Sequence, residues 1–326
     1  MKTNVFKIAV LTSGGDAPGM NAAIRSVVRT AVSLELDVVG IMHGYEGLLN
    51  GEFVKLTASS VANIIQRGGT ILKTSRSERF KTEEGLDLAY EQLLKEGVNG
   101  LITIGGDGTF RGADQLAKRH KFQIIGVPGT IDNDMVGTDV TIGYDTAINT
   151  VMEAVDKIRD TAESHDRLFF VETMGRDAGL IALRSGIAIG AEAILMPETH
   201  TDINGLVEKL KNAKRKKSSK IILVAEGEKA GGAFEIAKKV TEKVSGYDAR
   251  VTVLGHIQRG GSPSCMDRVN ASRLGYEAVH AIVKRQHGVM VGIVNKEIVY
   301  TPFERATKHI QKLNVDLLSM LEVLSL

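Results

Sequence analysis

The chain has 326 residues, of which 43% are hydrophobic and 25% charged, and its formal net charge is +2. A length of this order predicts two domains, each large enough for its own core. The balanced charge argues against a nucleic-acid binder, which would show a concentrated basic face. The single cysteine, Cys265, excludes a disulfide framework and a paired-cysteine zinc site.

No apolar run approaches the roughly 20 residues that a membrane helix needs. Residues 1–4 lead directly into a strand-like run, which argues against a signal peptide. We therefore expect a soluble, cytoplasmic protein. The 35 glycines and the low aromatic content of 5% are typical of an α/β enzyme with many tight strand-to-helix turns.

The first predicted unit is a strand over residues 6–12, a glycine turn, S-G-G-D, at 13–16, and a helix over 20–34. A glycine turn before a helix N-terminus suits a phosphate, because backbone and dipole both favour an anion there. An ordinary turn is the alternative. Arg25 and Arg29 share one face of this helix, either as a solvated face or as an anion clamp.

A second strand is predicted at 38–42, followed by a turn at 44–47, an arginine-rich loop at 73–80 and a helix at 83–96. A strand at 100–104 then ends in G-G-D-G-T, and a helix follows over 110–119. Asp107 lies among glycines at the carboxyl end of this strand. A carboxylate in that position suits a complex of a metal and a phosphate.

Residues 125–134, I-G-V-P-G-T-I-D-N-D, join a short apolar run to a polar turn. The turn contains Thr130, Asp132 and Asp134 within five residues. Such a turn can direct one acid at a substrate hydroxyl and another at a metal. We interpret it as the catalytic loop of a phosphoryl-transfer enzyme.

In the second half, His256 and Arg259 lie between glycines, downstream of Arg250, and together indicate an anion pocket.

Seven Lys or Arg lie between Lys209 and Lys220; on the residues alone, this is a solvated helix end. The remaining predicted elements are helices at 146–162, from 203, at 265–286 and at 309–324, strands at 168–173, 194–196, 220–226 and 250–254, and a hairpin of 289–294 with 298–300.

Strands and helices alternate throughout, which predicts βα units and mainly parallel sheets. Ligands of such sheets bind at the carboxyl ends of the strands. The loops singled out above follow strands, so they can converge on one cleft.

Five motifs together resemble the bacterial ATP-dependent 6-phosphofructokinases (type A): S-G-G-D-A-P-G-M-N-A-A-I-R, I-G-G-D-G-T, P-G-T-I-D-N-D, V-E-T-M-G-R and L-G-H-I-Q-R-G-G-S-P. The resemblance spans essentially the whole chain. It implies two similar three-layer α/β domains with mainly parallel sheets and an active site in the cleft between them. The implied bounds are 1–143 plus 256–306 for ATP and 144–255 plus 307–326 for fructose 6-phosphate.

The resemblance also implies that the γ-phosphoryl of ATP passes to the 1-hydroxyl of fructose 6-phosphate. Members are homotetramers with active and effector sites at subunit interfaces, under control by ADP or phosphoenolpyruvate. Asp132 is then the base, Asp107 holds Mg²⁺ with help from Asp134, and Thr130 orients the acceptor. Arg76 and Arg176 stabilise charge on the transferred group.

The implied ATP site comprises Gly15, Arg76, Ser77, Gly106, Asp107, Gly108 and Thr109. The implied sugar phosphate site comprises Thr130, Ile131, Asp132, Arg167, Met174, Gly175, Arg176, Glu226, Arg250, His256, Ile257, Gln258 and Arg259. In the family, the residues that match Arg167 and Arg250 reach across from a neighbouring subunit.

The resemblance assigns an effector site that replaces the solvated interpretations above: Arg25, Arg29, Arg159, Gly190, Ala191, Glu192, Arg215, Lys217, Ser218 and Ser219. Glycine at 108 and at 129 favours ATP, since pyrophosphate-using relatives tend to have Asp and Lys there. Three positions depart from the usual family pattern, namely Arg79, Leu180 and Lys216.

Two other functions remain open on the residues. A G-G-D-G-T kinase for a dinucleotide or a lipid would explain Asp107 but gives no reason for T-I-D-N-D or H-I-Q-R. A catalytically silent nucleotide sensor would bind ATP without turnover. Such a sensor is expected to have lost Asp132 or Asp107, and both are present.

Overall fold

The computed structural model describes residues 6–164, 167–212, 220–244, 247–307 and 315–324. The chain forms two compact units. The first contains the described residues up to Thr146 and those from Arg259 to 307. The second runs from Ala147 to Gln258 and includes the described C-terminal helix. Among these described residues, no helix combines the length and apolar character needed to cross a bilayer.

Strands and helices alternate along both units. In chain order they are β1 (Lys7–Thr12), α1 (Met20–Ser33), β2 (Asp37–Ile41), α2 (Gly44–Asn50), β3 (Phe53–Leu56), α3 (Glu83–Lys95), β4 (Gly100–Gly105), α4 (Asp107–His120), β5 (Ile124–Pro128), α5 (Tyr144–Glu163), β6 (Leu168–Thr173), α6 (Leu180–Ala188), β7 (Ala193–Leu195), α7 (Ile203–Asn212), β8 (Lys220–Ala225), α8 (Ala233–Thr241), β9 (Ala249–Val253), α9 (Cys265–Val283), β10 (Val289–Val294), β11 (Glu297–Pro302), α10 (Phe303–Ala306) and α11 (Val315–Leu324).

The first unit contains a seven-stranded sheet in the order β11-β10-β5-β4-β1-β2-β3. Its five inner strands are parallel, and β3 and β11 are antiparallel edges. The inner strands are apolar along their length and buried, as expected for a sheet covered on both faces. Thr12 pairs with Ile104, and Ile104 pairs with Val127, so the carboxyl ends of β1, β4 and β5 lie side by side.

The second unit contains a parallel four-stranded sheet in the order β7-β8-β6-β9. One face of it packs against helices through a core that includes Phe170, Leu206, Ile222 and Ile236. The mainly parallel sheets of the two units confirm the predicted α/β fold.

Several predicted elements differ from the structure. The segment 44–47 is not a turn but the start of α2, with β3 behind it. The helix predicted from 110 begins at Asp107, and the helix predicted to 286 ends at Val283. The starts of α2 and α4 were not predicted because Gly44 and Gly108 weaken the helical pattern of the sequence there. Helices α6 and α8 were not predicted, and residues 309–314 of the last predicted helix lie outside the described residues.

Candidate active site

Two polar segments follow adjacent parallel strands of the seven-stranded sheet. G-G-D-G-T follows β4, and T-I-D-N-D follows β5. The Gly129 amide donates to the Gly105 carbonyl at 2.9 Å, which continues the pairing past the strand end. A Cβ atom at Gly106 would lie 3.4 Å from the Thr130 Cβ. The G-G-D-G-T segment, which we call the predicted metal turn, and the T-I-D-N-D segment, the predicted catalytic loop, are therefore neighbours.

The catalytic loop is held in shape by its own polar groups. Thr130 and Asp132 are 9% and 8% exposed, and the Asp132 amide donates to the Thr130 hydroxyl at 3.2 Å. Asn133 adopts a left-handed conformation with φ 53°, which asparagine tolerates. Its side-chain oxygen accepts from the Thr141 amide at 2.7 Å, and the Thr141 hydroxyl donates to the Thr130 carbonyl at 2.6 Å.

The remaining residues predicted for this region differ in how far they are exposed to solvent. Ile131 is fully buried. Asp134 is partly exposed. Asp107 is the first residue of α4, is 9% exposed, and accepts from Arg111 Nε at 2.8 Å.

The donor set suits Mg²⁺ held jointly with a ligand. The carboxylates of Asp107 and Asp134 offer the oxygen donors that Mg²⁺ prefers. Within the part of the chain that the structure describes, no group of three or more His, Cys, Asp or Glu is placed to hold a metal. Mg²⁺ usually binds one or two carboxylates together with substrate phosphates rather than a closed protein cage, so these residues fit the ion.

The first glycine turn is tied to the metal turn. The Thr109 hydroxyl donates to the Ser13 carbonyl at 3.0 Å. Arg259 Nη1 donates to the Asp16 carbonyl at 3.2 Å and would lie 2.5 Å from a Cβ at Gly15. A side chain at position 15 would displace the Arg259 guanidinium, so Arg259, which is predicted to bind the sugar phosphate, lies against the first glycine turn.

Gly108 and Gly129 differ in their surroundings. A Cβ at Gly108 meets no described atom within 4 Å, whereas one at Gly129 would lie 3.1 Å from Ile104 and 3.2 Å from Met20. No described packing contact therefore requires glycine at 108.

The loop with Arg76 and Ser77 is fixed to α2. The Ser77 hydroxyl donates to Glu46 Oε2 at 2.5 Å, and Arg79 Nη1 donates to Glu46 Oε1 at 2.7 Å. The hydrogen bond from Ser77, followed by that from Arg79, holds the pKa of Glu46 below its ordinary value. Arg76 itself is exposed.

An aromatic stack joins the same loop to the metal turn. The rings of Tyr45 and Phe80 are stacked, with centroids 3.9 Å apart. The Tyr45 hydroxyl donates to the Thr109 carbonyl at 2.6 Å, and burial raises the pKa of this hydroxyl. Loop, helix α2 and metal turn therefore form one hydrogen-bonded and stacked assembly.

In the second unit, several predicted sugar phosphate residues lie at the carboxyl edge of the sheet. Arg176 follows β6 with φ 55°, and its amide donates to Glu226 Oε1, beyond β8, at 2.6 Å. Gln258 is fully buried, and its side chain accepts from the Met174 amide at 3.2 Å. The other members at this edge are Gly175, with φ 143°, and the exposed His256 and Ile257.

Arg167 and Arg250 lie at the opposite, amino edge of that sheet. Arg167 immediately precedes β6, and Arg250 is the second residue of β9. A strand of six residues spans ~20 Å, so these arginines are not grouped with Glu226 within this chain. Asp248 Oδ2 accepts from both of them, at 2.9 Å from Arg167 Nε and 3.0 Å from Arg250 Nη2.

The predicted effector residues are partly described. Arg25 and Arg29 lie on the accessible side of α1. Arg159 donates to the Ile189 carbonyl, beside Gly190, which has φ 64°. Ala191 and Glu192 are buried, and Arg215, Lys217, Ser218 and Ser219 lie outside the described residues.

Four residues with contacts to these segments were not found from the sequence: Tyr45, Glu46, Asn133 and Asp248. Asn133 had a local indication, because it lies between the two acids and is a residue type that tolerates positive φ. The contacts of Tyr45 and Glu46 cross 31 to 64 residues of sequence, and that of Asp248 with Arg167 crosses 81. Spacing along the chain cannot reveal such contacts.

Comparison with known proteins gives a consistent result. The phosphofructokinase family profile matches residues 7–282. Two similar proteins are ATP-dependent 6-phosphofructokinase 2 of Bacteroides thetaiotaomicron, 55% identical over 98% of both chains, and ATP-dependent 6-phosphofructokinase 1 of Thermus thermophilus, 55% identical over 98% of this chain and 99% of that one. The solved phosphofructokinase of Saccharomyces cerevisiae superposes with a TM-score of 0.87 at 36% identity, over 98% of this chain and 47% of the yeast chain.

A parallel α/β fold with glycine turns and acidic residues at adjacent strand ends, together with these similarities, defines a phosphotransferase. The chain belongs to the phosphofructokinase family.

Proposed function

We propose that this protein transfers the γ-phosphoryl of ATP to the 1-hydroxyl of D-fructose 6-phosphate, giving fructose 1,6-bisphosphate and ADP. The reaction is the committed step of glycolysis. The main support is the adjacency of Asp107 and Asp132 at the ends of β4 and β5, since one acid can serve the donor and the other the acceptor. The names of the similar proteins support the same reaction.

Phosphoryl transfer needs positioning and charge neutralisation more than covalent catalysis. In our proposal, Asp132 accepts the proton of the 1-hydroxyl, and Thr130 orients that hydroxyl. Arg76 and Arg176 stabilise the charge that develops on the transferred group. Asp107, helped by Asp134, holds Mg²⁺, which neutralises phosphate charge when bound.

The choice of ATP over pyrophosphate is supported by Gly108. The absence of a side chain there leaves open space at the first turn of α4, where a nucleotide phosphate would meet the helix N-terminus. A carboxylate at 108 would repel that phosphate.

We further propose a cytoplasmic homotetramer controlled by ADP or phosphoenolpyruvate. The separation of Arg167 and Arg250 from Glu226 supports assembly, since a neighbouring copy can supply the missing arginines to a site. The accessible pair of Arg25 and Arg29 supports an anionic effector.

A coupled assay tests the reaction. The purified chain, with Mg²⁺ and fructose 6-phosphate, is expected to form fructose 1,6-bisphosphate with ATP and little with pyrophosphate. Rate curves with and without ADP and phosphoenolpyruvate are expected to shift. Turnover of a dinucleotide or lipid in place of the sugar phosphate, or ATP binding without turnover, would contradict the proposal.

A further inference from the structure

One carboxylate joins two arginines at the amino edge of the four-stranded sheet. We propose that Asp248 is a positioning residue for substrate binding, which aligns the guanidinium groups of Arg167 and Arg250 to receive one phosphate group. The inference rests on the proposed function, in which these arginines bind the 6-phosphate of the sugar. It adds a residue that does not itself contact the ligand.

Hydrogen-bond geometry supports alignment. A single oxygen, Asp248 Oδ2, accepts from Arg167 Nε at 2.9 Å and from Arg250 Nη2 at 3.0 Å. A guanidinium has five N–H donors, so each arginine gives one to Asp248 and keeps others for a ligand. At Arg167 the engaged atom is Nε, which leaves both terminal nitrogens for phosphate.

The backbone fixes the carboxylate in place. Leu168 pairs with Ala249 across the parallel strands β6 and β9, so the residues that precede them, Arg167 and Asp248, are side by side. The Leu168 amide also donates to the Asp248 carbonyl at 3.2 Å. The pairing of the sheet therefore fixes the backbone of Asp248, and its short side chain extends from that fixed point.

The charges suit a phosphate site that is ready before the ligand arrives. Two guanidinium groups around one oxygen repel each other, and the carboxylate between them offsets this repulsion while a net positive charge remains. The hydrogen bond from Arg167, with the charge of Arg250, lowers the pKa of Asp248, so it is ionised at neutral pH. The side chains of Arg167 and Arg250 are 25% and 53% exposed, which leaves them open to a ligand.

A competing role predicts the opposite effect. If the carboxylate merely occupied the phosphate position, its removal would strengthen substrate binding. If it aligns the arginines, its removal weakens binding, because the ligand must then order two flexible side chains itself. The sign of the change therefore decides between the two.

The test is the steady-state kinetics of Asp248→Asn in the full-length protein. We expect the half-saturating concentration of fructose 6-phosphate to rise about tenfold, in line with hydrogen bonds to charged groups, while kcat and the KM for ATP change less than about twofold. Asp248→Glu, which keeps the charge, is expected to recover part of the loss. An unchanged or lowered half-saturating concentration would overturn the inference.

The matched control is Asp87→Asn. Asp87 also lies between two basic side chains, with Oδ1 2.6 Å from Arg119 Nε and 2.9 Å from His120 Nε2, but it is remote in sequence from every predicted site residue of the second unit. It is expected to leave the kinetics unchanged. If the wild type shows no turnover of fructose 6-phosphate, the proposed function fails, and calorimetry with inorganic phosphate then tests the arginine pair directly: binding must weaken in Asp248→Asn.

Discussion

At the scale of single residues, Gly108 has a conformation and a location that alanine would also satisfy. It lies in the first turn of α4, where a side chain meets no described atom within 4 Å. An acidic residue is even favourable for a helix at that point. The described fold therefore does not require glycine at this position, and our proposal assigns the open space to a phosphate of ATP.

Replacing Gly108 by Asp is expected to raise the KM for ATP by about 10²-fold, because like charges placed together cost several kcal/mol. The unfolding temperature should stay the same or rise. Steady-state kinetics and calorimetry measure the two effects. Gly108→Ala is the control and should retain ATP use; an Asp variant with the ATP affinity of the wild type would refute the role of the glycine.

At the scale of elements, helix α2 holds the loop that contains Arg76 and Ser77. Glu46 on α2 accepts hydrogen bonds from Ser77 and Arg79, and the ring of Tyr45 stacks on that of Phe80. Arg79, which departs from the family pattern, is therefore used within the protein, in a pair with Glu46.

Glu46→Gln is expected to raise the KM for ATP about threefold to tenfold, since the ion pair with Arg79 is lost and the loop is less ordered. The half-saturating concentration of fructose 6-phosphate should not change. Glu78→Gln, which removes an exposed ion pair with Lys81 in the same loop, is the control. Equal effects of the two variants would contradict a specific role of Glu46.

The same variant has a pH signature. The native pKa of Glu46 is lowered, so its stabilisation is present above the unfolded pKa of about 4.3 and is lost as the pH falls through the native value. Melting curves between neutral pH and acid should show a smaller loss of stability in Glu46→Gln than in the wild type.

The elements themselves were largely predictable, and their contacts were not. Short apolar runs followed by glycine turns predicted β1, β4 and β5, and hence the strand ends where the acidic residues lie. Helix α2 was missed because Gly44 and Gly47 have poor helix propensity, while burial of Tyr45 and Leu48 against the core overrides it. The hydrogen bond between Asn133 and Thr141 depends on the conformation of the loop, which the spacing of residues along the chain does not specify.

At the scale of the whole molecule, the position of the two arginines that we propose to bind phosphate matters most. Arg167 and Arg250 lie at one edge of the four-stranded sheet, and Arg176 and Glu226 lie at the other. The proposed homotetramer, in which each site would use the two arginines of a neighbouring subunit, accounts for these positions. Its mass in solution should be near four times the 35.1 kDa of one chain.

Subunit mixing tests this arrangement. Asp132→Ser and Arg250→Ala variants should each be nearly inactive alone. After they are dissociated together and reassembled, about a quarter of the sites combine an intact Asp132 with an intact Arg250 from a neighbour, so activity should return. Reassembly of each variant with itself is the control. Hybrids that form but stay inactive would show that each site uses its own Arg250.

The most direct test of the proposed chemistry is the rate of fructose 1,6-bisphosphate formation by Asp132→Ser relative to the wild type. We predict a kcat lower by about 10²–10⁴-fold, with the KM for ATP nearly unchanged. Asp37→Ser, at the exposed amino end of β2 in the same sheet, should match the wild type. Full activity in the Asp132 variant, or no fructose 6-phosphate turnover by the wild type, would contradict the account.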